Sequence, residues 1–215
     1  MFKKITFVLF TAFLSLTTTQ AQVTFTPGVH AGINLSKITS SDLGNKTDFY
    51  VGAFGSIKFS KIYSLQPELT YSRQGGKGTT SMGSTTTYNP ETGNYITVYQ
   101  NGTVDASLQY FSAVTINKLN FTDDIYVLVG PFFDILLADD FKVDPKSQER
   151  NFNKGEDVDL GIVGGLGYSL KNGISFEARV KKGIGSAFTN YHASGMNDSN
   201  NLVFQFGATY AFGKK

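Results

Sequence analysis

Apolar and polar residues alternate along most of the chain after residue 22, with clusters of Gly, Asn and Asp between the alternating stretches. A period of two places neighbouring side chains on opposite faces of a β-strand, and no stretch of useful length has the period of an amphipathic helix. In the final stretch, Phe204, Phe206 and Tyr210 share one face, while Gln205 and Thr209 fall on the other. The pattern therefore predicts an all-β chain.

Eight alternating stretches are long enough to cross a bilayer as tilted strands, which takes about 9 to 11 residues each. Two of them carry charges on the polar face, with Glu68 in the third stretch and Glu177, Arg179 and Lys181 in the seventh. Alternation alone fits a soluble sandwich, whose oily face is the core, and a membrane barrel, whose oily face meets lipid. The predicted strands are residues 24–36, 47–59, 62–74, 106–118, 124–138, 157–170, 173–185 and 201–212.

The connections between the predicted strands alternate in length. An even number of strands then places the termini and every short turn on the periplasmic side and every long loop outside, as in bacterial outer-membrane barrels. This sorting favours an eight-stranded antiparallel up-and-down transmembrane β-barrel over a soluble lipocalin-like barrel or sandwich. The long connections are residues 37–46, 75–105, 139–156 and 186–200, and the short ones are 60–61, 119–123 and 171–172.

The N-terminal residues have the pattern of an export signal. Two lysines precede an apolar run from Ile5 to Leu16, and small residues follow as far as Ala21. The apolar run is shorter than the roughly 20 residues that a transmembrane helix needs. We expect a signal peptide over residues 1–21 and an outer-membrane barrel domain over residues 22–215.

Composition and charge limit the classes of partner. Of 215 residues, 40% are hydrophobic and 14% aromatic, which is enough for one folded domain. Cleavage would remove Lys3 and Lys4 but no acid, leaving 17 basic side chains, from 19 in the whole chain, against 17 acidic ones. A neutral chain argues against nucleic acid as a partner. With no Cys, the chain offers neither a disulfide nor a thiolate metal site.

Seven segments spread over the chain carry recognisable motifs. They are residues 28–34 (Gly-Val-His-Ala-Gly-Ile-Asn), 65–72 (Leu-Gln-Pro-Glu-Leu-Thr-Tyr-Ser), 130–137 (Gly-Pro-Phe-Phe-Asp-Ile-Leu-Leu), 159–161 (Asp-Leu-Gly), 164–168 (Gly-Gly-Leu-Gly-Tyr), 176–179 (Phe-Glu-Ala-Arg) and 210–212 (Tyr-Ala-Phe). In combination they resemble the PorT-like outer-membrane β-barrel proteins of the Bacteroidetes lineage, over nearly the whole mature chain. The resemblance implies a barrel in the outer membrane and no particular activity, although the name-giving member is associated with protein secretion.

Four charged side chains fall on inward faces of the predicted barrel: Glu68, Glu177, Arg179 and Lys181. An eight-stranded barrel is just wide enough inside to be filled by side chains, so charges buried there must pair. We predict a structural ion-pair network, from Glu68 and Glu177 to Arg179 with Lys181, that plugs the lumen. A proton or ion path is the functional alternative.

Catalytic, cofactor and metal sites are not predicted. Of the two histidines, His30 is expected inside the barrel, and His192 lies near serines and aspartate in the last long loop, which is weak support for catalysis. Residues 161–167 are glycine-rich but lack the surroundings of a dinucleotide site, so we interpret these glycines as room for large neighbours. The acids between 139 and 159 lack the spacing of a calcium loop.

We therefore expect a non-enzymatic integral outer-membrane protein with a filled lumen. It would contact outer-membrane lipids and act through its outer loops, or as part of an envelope or secretion assembly with other proteins. A narrow pore or a lipocalin-like barrel for a small ligand is the alternative. Residues 75–87 are expected to be mobile or hairpin-like, with residues 95–99 extending the strands. Aromatic residues near strand ends suit interfacial girdles or ordinary β-propensity, namely Phe49, Tyr50, Phe59, Tyr63, Tyr110, Tyr126 and Tyr168.

Overall fold

The computed structural model describes residues 23–39, 41, 43–144, 155–188 and 199–213. Within these residues, eight strands form one closed barrel, in which each strand pairs antiparallel with its sequence neighbours and the last strand pairs with the first. The predicted eight-stranded up-and-down barrel is confirmed. The strands are β1 (Thr24–Ile38), β2 (Lys46–Lys58), β3 (Tyr63–Asn89), β4 (Asn94–Asn120), β5 (Ile125–Asp144), β6 (Val158–Ser169), β7 (Ile174–Gly183) and β8 (Asn201–Ala211).

The predicted signal peptide, residues 1–21, lies outside the described residues and stays a prediction. No helix in the described ranges is long and apolar enough to span a membrane.

Side-chain exposure alternates along the strands as the sequence pattern predicts. On β7, Phe176 and Val180 are 55% and 41% exposed, whereas Glu177, Arg179 and Lys181 are buried. The same alternation on the other strands leaves many large apolar side chains on the outer surface of the barrel. Water-soluble monomers rarely expose an apolar surface of this extent. The outward faces therefore suit a hydrocarbon environment and the inward faces form a polar interior.

The connection between the third and fourth predicted strands is a long β-ribbon. β3 and β4 each have 27 residues and pair up to Asn89↔Asn94, with a single register shift near Ser81 and Ser84. The chain reverses at residues 90–93, where Gly93 has a φ of 68°, a conformation that favours glycine. The expectations that residues 75–87 are hairpin-like and that residues 95–99 extend the strands are confirmed. The bounds predicted for the two membrane strands, 62–74 and 106–118, are shorter than the observed strands. We call residues 78–102 the ribbon.

Glycines on the inward face make room for aromatic rings on the neighbouring strand. Gly167 pairs with Tyr126 and Gly161 pairs with Phe132 across β5 and β6. A Cβ atom at Gly167 would overlap the Tyr126 ring, and one at Gly161 would overlap the Phe132 ring and the Lys182 carbonyl. The interpretation of the glycines in residues 161–167 as room for large neighbours is confirmed for Gly161 and Gly167.

Aromatic girdles at the interfaces require outward side chains, and only part of the predicted set meets this requirement. Phe49, Phe59 and Tyr168 are exposed on the outer surface, at 41% to 48%. Tyr50, Tyr110 and Tyr126 are 3%, 0% and 1% exposed, because they occupy inward positions and fill the lumen. The girdle prediction was therefore wrong for these three.

Candidate functional site: the lumen of the barrel

A layer of buried charge crosses the middle of the lumen. Arg179 on β7 reaches Glu68 on β3 through two hydrogen bonds, from Nη1 to Oε2 at 2.7 Å and from Nη2 to Oε1 at 2.8 Å. Its Nε also donates to Oε2 of Glu177 at 2.8 Å. All three side chains are at most 3% exposed. The structure thus brings together three of the four charged residues singled out from the sequence.

Neighbouring polar groups complete the hydrogen bonding of the two carboxylates. Gln66 Nε2 donates to Glu68 at 2.8 Å, and the Tyr126 hydroxyl donates to Glu177 at 2.6 Å. His30 lies inside the barrel as expected, with its Nε2 at 2.9 Å from the Thr70 hydroxyl. Buried charges persist only when they are paired and hydrogen-bonded in this way.

Lys181, the fourth of those residues, forms a separate ion pair. Its Nζ donates to both oxygens of Asp134, at 2.8 and 2.6 Å, and to the Ser112 hydroxyl at 3.0 Å. It also lies 4.1 Å from the centroid of the Phe132 ring. Asp134 is fully buried, and sequence reasoning missed it, although it shares the inward parity of Phe132 on β5.

Asp159, the last of the acids between residues 139 and 159, is buried inside the barrel. It faces the lumen from β6, is 1% exposed, and accepts a hydrogen bond from Asn201 Nδ2 at 3.0 Å. Its position within an alternating stretch is the feature that identifies it as inward. Asp139 and Asp140 lie on the outer extension of β5.

The outer mouth of the lumen is closed by an apolar cluster. Its members come from β1, β4 and the long connections, so that residues distant in sequence meet above the charged layers. They are Ile38, Leu43, Val104, Ala106, Leu108, Tyr110, Ala187 and Phe188, with Leu136 and Phe141 against them. Beneath this cluster, the cavity beside Arg179 has a volume of about 10 Å³, which is room for about one water molecule.

The inner mouth, at the end of the short turns, is open instead. A cavity of about 430 Å³ reaches from the turns to Phe54 and Gln66. The three levels of the lumen are therefore an apolar outer cluster, charged middle layers and an open inner vestibule.

Outside the barrel proper, an ion-pair cluster fixes the base of the ribbon. Lys46 donates to Asp105 and Ser107, and Lys77 Nζ lies 3.6 Å from Asp105. Partial burial tends to raise the pKa of Asp105, but the hydrogen bond and charge of Lys46, helped by Lys77, lower that pKa below its usual value of 3.8. The carboxylate is therefore held ionised.

The two histidines considered as weak candidates for catalysis do not form a site within the described part of the chain. His192 lies outside the described residues, and His30 is enclosed in the lumen. In the described ranges, no three His, Asp or Glu side chains are grouped so as to hold a metal ion.

A closed barrel with an apolar outside, short turns at one end and long connections at the other is the architecture of an outer-membrane protein. The family model described as outer membrane protein beta-barrel domain matches residues 19–189. The chain belongs to this family. It is an integral barrel of the bacterial outer membrane, with lipid against its apolar faces, and the soluble lipocalin-like alternative is wrong.

Several solved structures are similar in fold. Ail, the attachment invasion locus protein of Yersinia pestis, has a TM-score of 0.44 at 10% identity, covering 87% of this chain and 98% of that chain. Neisserial surface protein A has a TM-score of 0.47 at 13% identity, covering 87% of this chain and 97% of that chain. OprG from Pseudomonas aeruginosa has a TM-score of 0.45 at 12% identity, covering 87% of this chain and 94% of that chain. No curated protein matches the chain.

Proposed function

We propose that this protein is a non-conducting, non-enzymatic barrel that anchors the ribbon in the outer membrane and acts through it as an interaction protein. The observation that carries the proposal is the contrast between a filled lumen and a long, exposed ribbon. The proposal includes the residue division made from the sequence, with residues 1–21 removed on export and residues 22–215 forming the barrel.

The filled lumen argues against a pore. An ion entering from outside would meet the apolar cluster around Leu108 and Phe188, in which the Tyr110 hydroxyl is the one side-chain polar group that could replace water of hydration. Below it, Lys181 and Arg179 are held by carboxylates at hydrogen-bond distance. In this proposal Glu68, Glu177, Arg179 and Lys181 are a structural plug and not a proton or ion path.

The ribbon has the composition of an interaction surface. Tyr88, Tyr95 and Tyr99 share one of its faces and are 52%, 75% and 71% exposed. Glu91 is the only Asp, Glu, Lys, Arg or His residue between 78 and 102. At about 3.4 Å per residue, twelve residues from Gly78 to the turn extend up to about 40 Å. Exposed tyrosines give large contact area at low entropic cost, which is why they are enriched in binding surfaces.

The segments that resemble PorT-like proteins support a setting for this interaction. They favour an envelope or secretion assembly, in which a barrel with no transport path of its own serves as an anchored component. The partner in this proposal is another protein of the cell envelope, contacted on the outer side.

Site-specific photo-crosslinking in intact cells tests the proposal. A benzophenone amino acid would replace Tyr95 or Tyr99 on the ribbon, and Phe133 on the outward face of β5 would serve as the matched control, because its side chain meets lipid. We expect discrete higher-mass adducts from the ribbon positions and none from Phe133. Adducts from neither ribbon position, or equal adducts from all three, would overturn the proposal.

A further inference from the structure

The vestibule at the inner mouth has the dimensions of a ligand site. Its volume of about 430 Å³ falls within the range of small-molecule pockets, about 300 to 1,000 Å³. Phe54 and Gln66 lie at its inner end and are 8% and 2% exposed. Among the described residues, the charged layers and the apolar cluster fill the lumen beyond the vestibule, so a solute would enter and leave it from the periplasmic side.

The charges in the vestibule wall are mostly positive. Lys58, Lys61 and Lys118 line it, and Asp123 is the one acidic residue of the lining. Among the described residues, neither Lys58 nor Lys61 forms an ion pair within 4.0 Å. Lys118 Nζ lies 3.4 Å from the centroid of the Tyr126 ring, which fixes it against the wall. The vestibule therefore favours an anion.

The rest of the wall is rich in hydroxyl groups. Hydroxyl and amide side chains can both donate and accept hydrogen bonds, which suits a ligand with several hydroxyls of its own. The Phe54 ring adds one apolar surface at the inner end, against which a sugar ring can pack. The hydroxyl-bearing residues of the lining include Thr26, Ser56, Ser64, Ser175 and Thr209.

We propose that the vestibule binds a small acidic saccharide, a sugar that carries a carboxylate or a phosphate, from the periplasm. The lysines would bind the anionic group through charge-assisted hydrogen bonds, and the hydroxyl-lined wall would bind the sugar. Inorganic phosphate alone would leave most of the volume unfilled. A phospholipid headgroup fits less well, because its acyl chains lie outside the barrel wall and the headgroup would have to reach over the rim.

Titration of the folded barrel in neutral-lipid nanodiscs tests this inference. The probe is glucose 6-phosphate, and glucose and inorganic phosphate are titrated separately. We expect saturable NMR shifts of vestibule amides, such as Ser64, Ser175 and Thr209, and weaker binding of each comparison probe. Absence of saturable shifts, or equal affinity for inorganic phosphate, would overturn the proposal.

Lysine variants separate specific binding from a general effect of positive charge. The double variant Lys58→Gln/Lys61→Gln should weaken glucose 6-phosphate binding about tenfold or more, since each substitution removes a charge-assisted contact. Lys171→Gln is the matched control, because Lys171 is an exposed turn residue at the same end that does not line the vestibule. A heat-modifiability gel verifies that each variant is folded.

A separate titration tests whether a phospholipid headgroup, and not a saccharide, occupies the vestibule. The titration is repeated in nanodiscs that contain phosphatidylglycerol. The inference predicts unchanged vestibule amides before the sugar is added and the same affinity after it. Shifts of those amides from the lipid alone, with loss of sugar binding, would overturn the saccharide assignment in favour of a headgroup.

Discussion

Arg179 lies at the centre of the barrel between two carboxylates, both within hydrogen-bond distance. Substitution Arg179→Met would leave Glu68 and Glu177 buried without their cation. Removing one partner of a buried ion pair costs about 3 to 5 kcal/mol. We expect the variant to unfold at lower urea concentration, measured as loss of the fast-migrating folded band in unboiled gels.

The matched control removes all three charges. In Glu68→Gln/Glu177→Gln/Arg179→Met no uncompensated charge is left, and such replacements of buried ionic groups are often neutral or stabilising. Recovery of most of the lost stability is therefore expected. A triple variant less stable than Arg179→Met would contradict the structural account of this layer.

Gly167 tests the fit between small and large residues inside the barrel. The three atoms nearest to an added Cβ at Gly167 all belong to the Tyr126 side chain, so Gly167→Ala overpacks a single contact. Overpacking of a filled interior costs about 1 to 3 kcal/mol. The free energy of unfolding is measured in urea for Gly167→Ala, Tyr126→Ala and the double variant. Because Tyr126→Ala removes the ring that the new methyl group overlaps, the double variant should be more stable than the sum of the two single effects predicts. Strict additivity of the two destabilisations would contradict the assigned contact.

At the scale of single residues, the alternating pattern predicts whether a side chain points into the barrel better than it predicts which residues that side chain contacts. It identified Glu68, Glu177 and Arg179 as inward, because each follows the strict period of two on its strand. The inward tyrosines were missed because an aromatic residue suits either face, and the glycine that accommodates Tyr126 lies 41 positions away at Gly167. Lys181 was grouped with Arg179 because the alternation shows that both side chains point inward but does not show which residues lie across the lumen from them.

The ribbon continues the barrel sheet beyond the membrane, and its base is fixed by charge. Gly44 and Lys77 exchange two backbone hydrogen bonds, at 2.9 and 3.2 Å, beside the Lys46–Asp105 pair. Since the folded pKa of Asp105 is lowered from 3.8, its stabilising contribution is complete above that value. It is lost as the pH falls through the lowered pKa.

Hydrogen exchange checks this pH dependence. Protection factors of the Gly44 and Lys77 amides, corrected for the intrinsic exchange rate, should fall between about pH 6 and about pH 2. Lys46→Met removes the main cation beside Asp105. In this variant the protection of the two amides should already be lower at about pH 6 and should change less on acidification. Equal protection at both pH values in the native chain would contradict the assigned role of Asp105.

Strand number and order follow from the sequence, whereas the outer strand ends do not. Loop lengths fixed the sorting of the connections, and turns such as residues 60–61 and 171–172 lie where they were predicted. The predicted bounds were matched to the membrane thickness, so they stop short of the outer ends of β3, β4 and β5; only the alternation of residues 95–99 indicated that β3 and β4 extend further. The strands continue into the ribbon because its threonines and tyrosines favour extended backbone. Their side chains also contact each other across the two strands, and the Thr86 and Thr97 hydroxyl oxygens lie 3.1 Å apart.

At the scale of the whole molecule, the lumen is closed outside and open inside. The charged middle could be anticipated from four residues on two strands. The apolar closure could not, because Ile38, Leu43, Leu108 and Phe188 come from β1, β4 and two separate connections. Such contacts depend on how the connections fold over the mouth, which the alternation of a strand does not encode.

Ion conductance across a planar bilayer tests the central claim of a filled, non-conducting barrel most directly. The folded mature chain would be reconstituted beside an established outer-membrane porin as a positive control. The account predicts that this protein gives no current steps above the bare bilayer while the porin conducts. Reproducible discrete steps from the native chain would contradict it, because a path for ions would then cross both the charged layers and the apolar cluster.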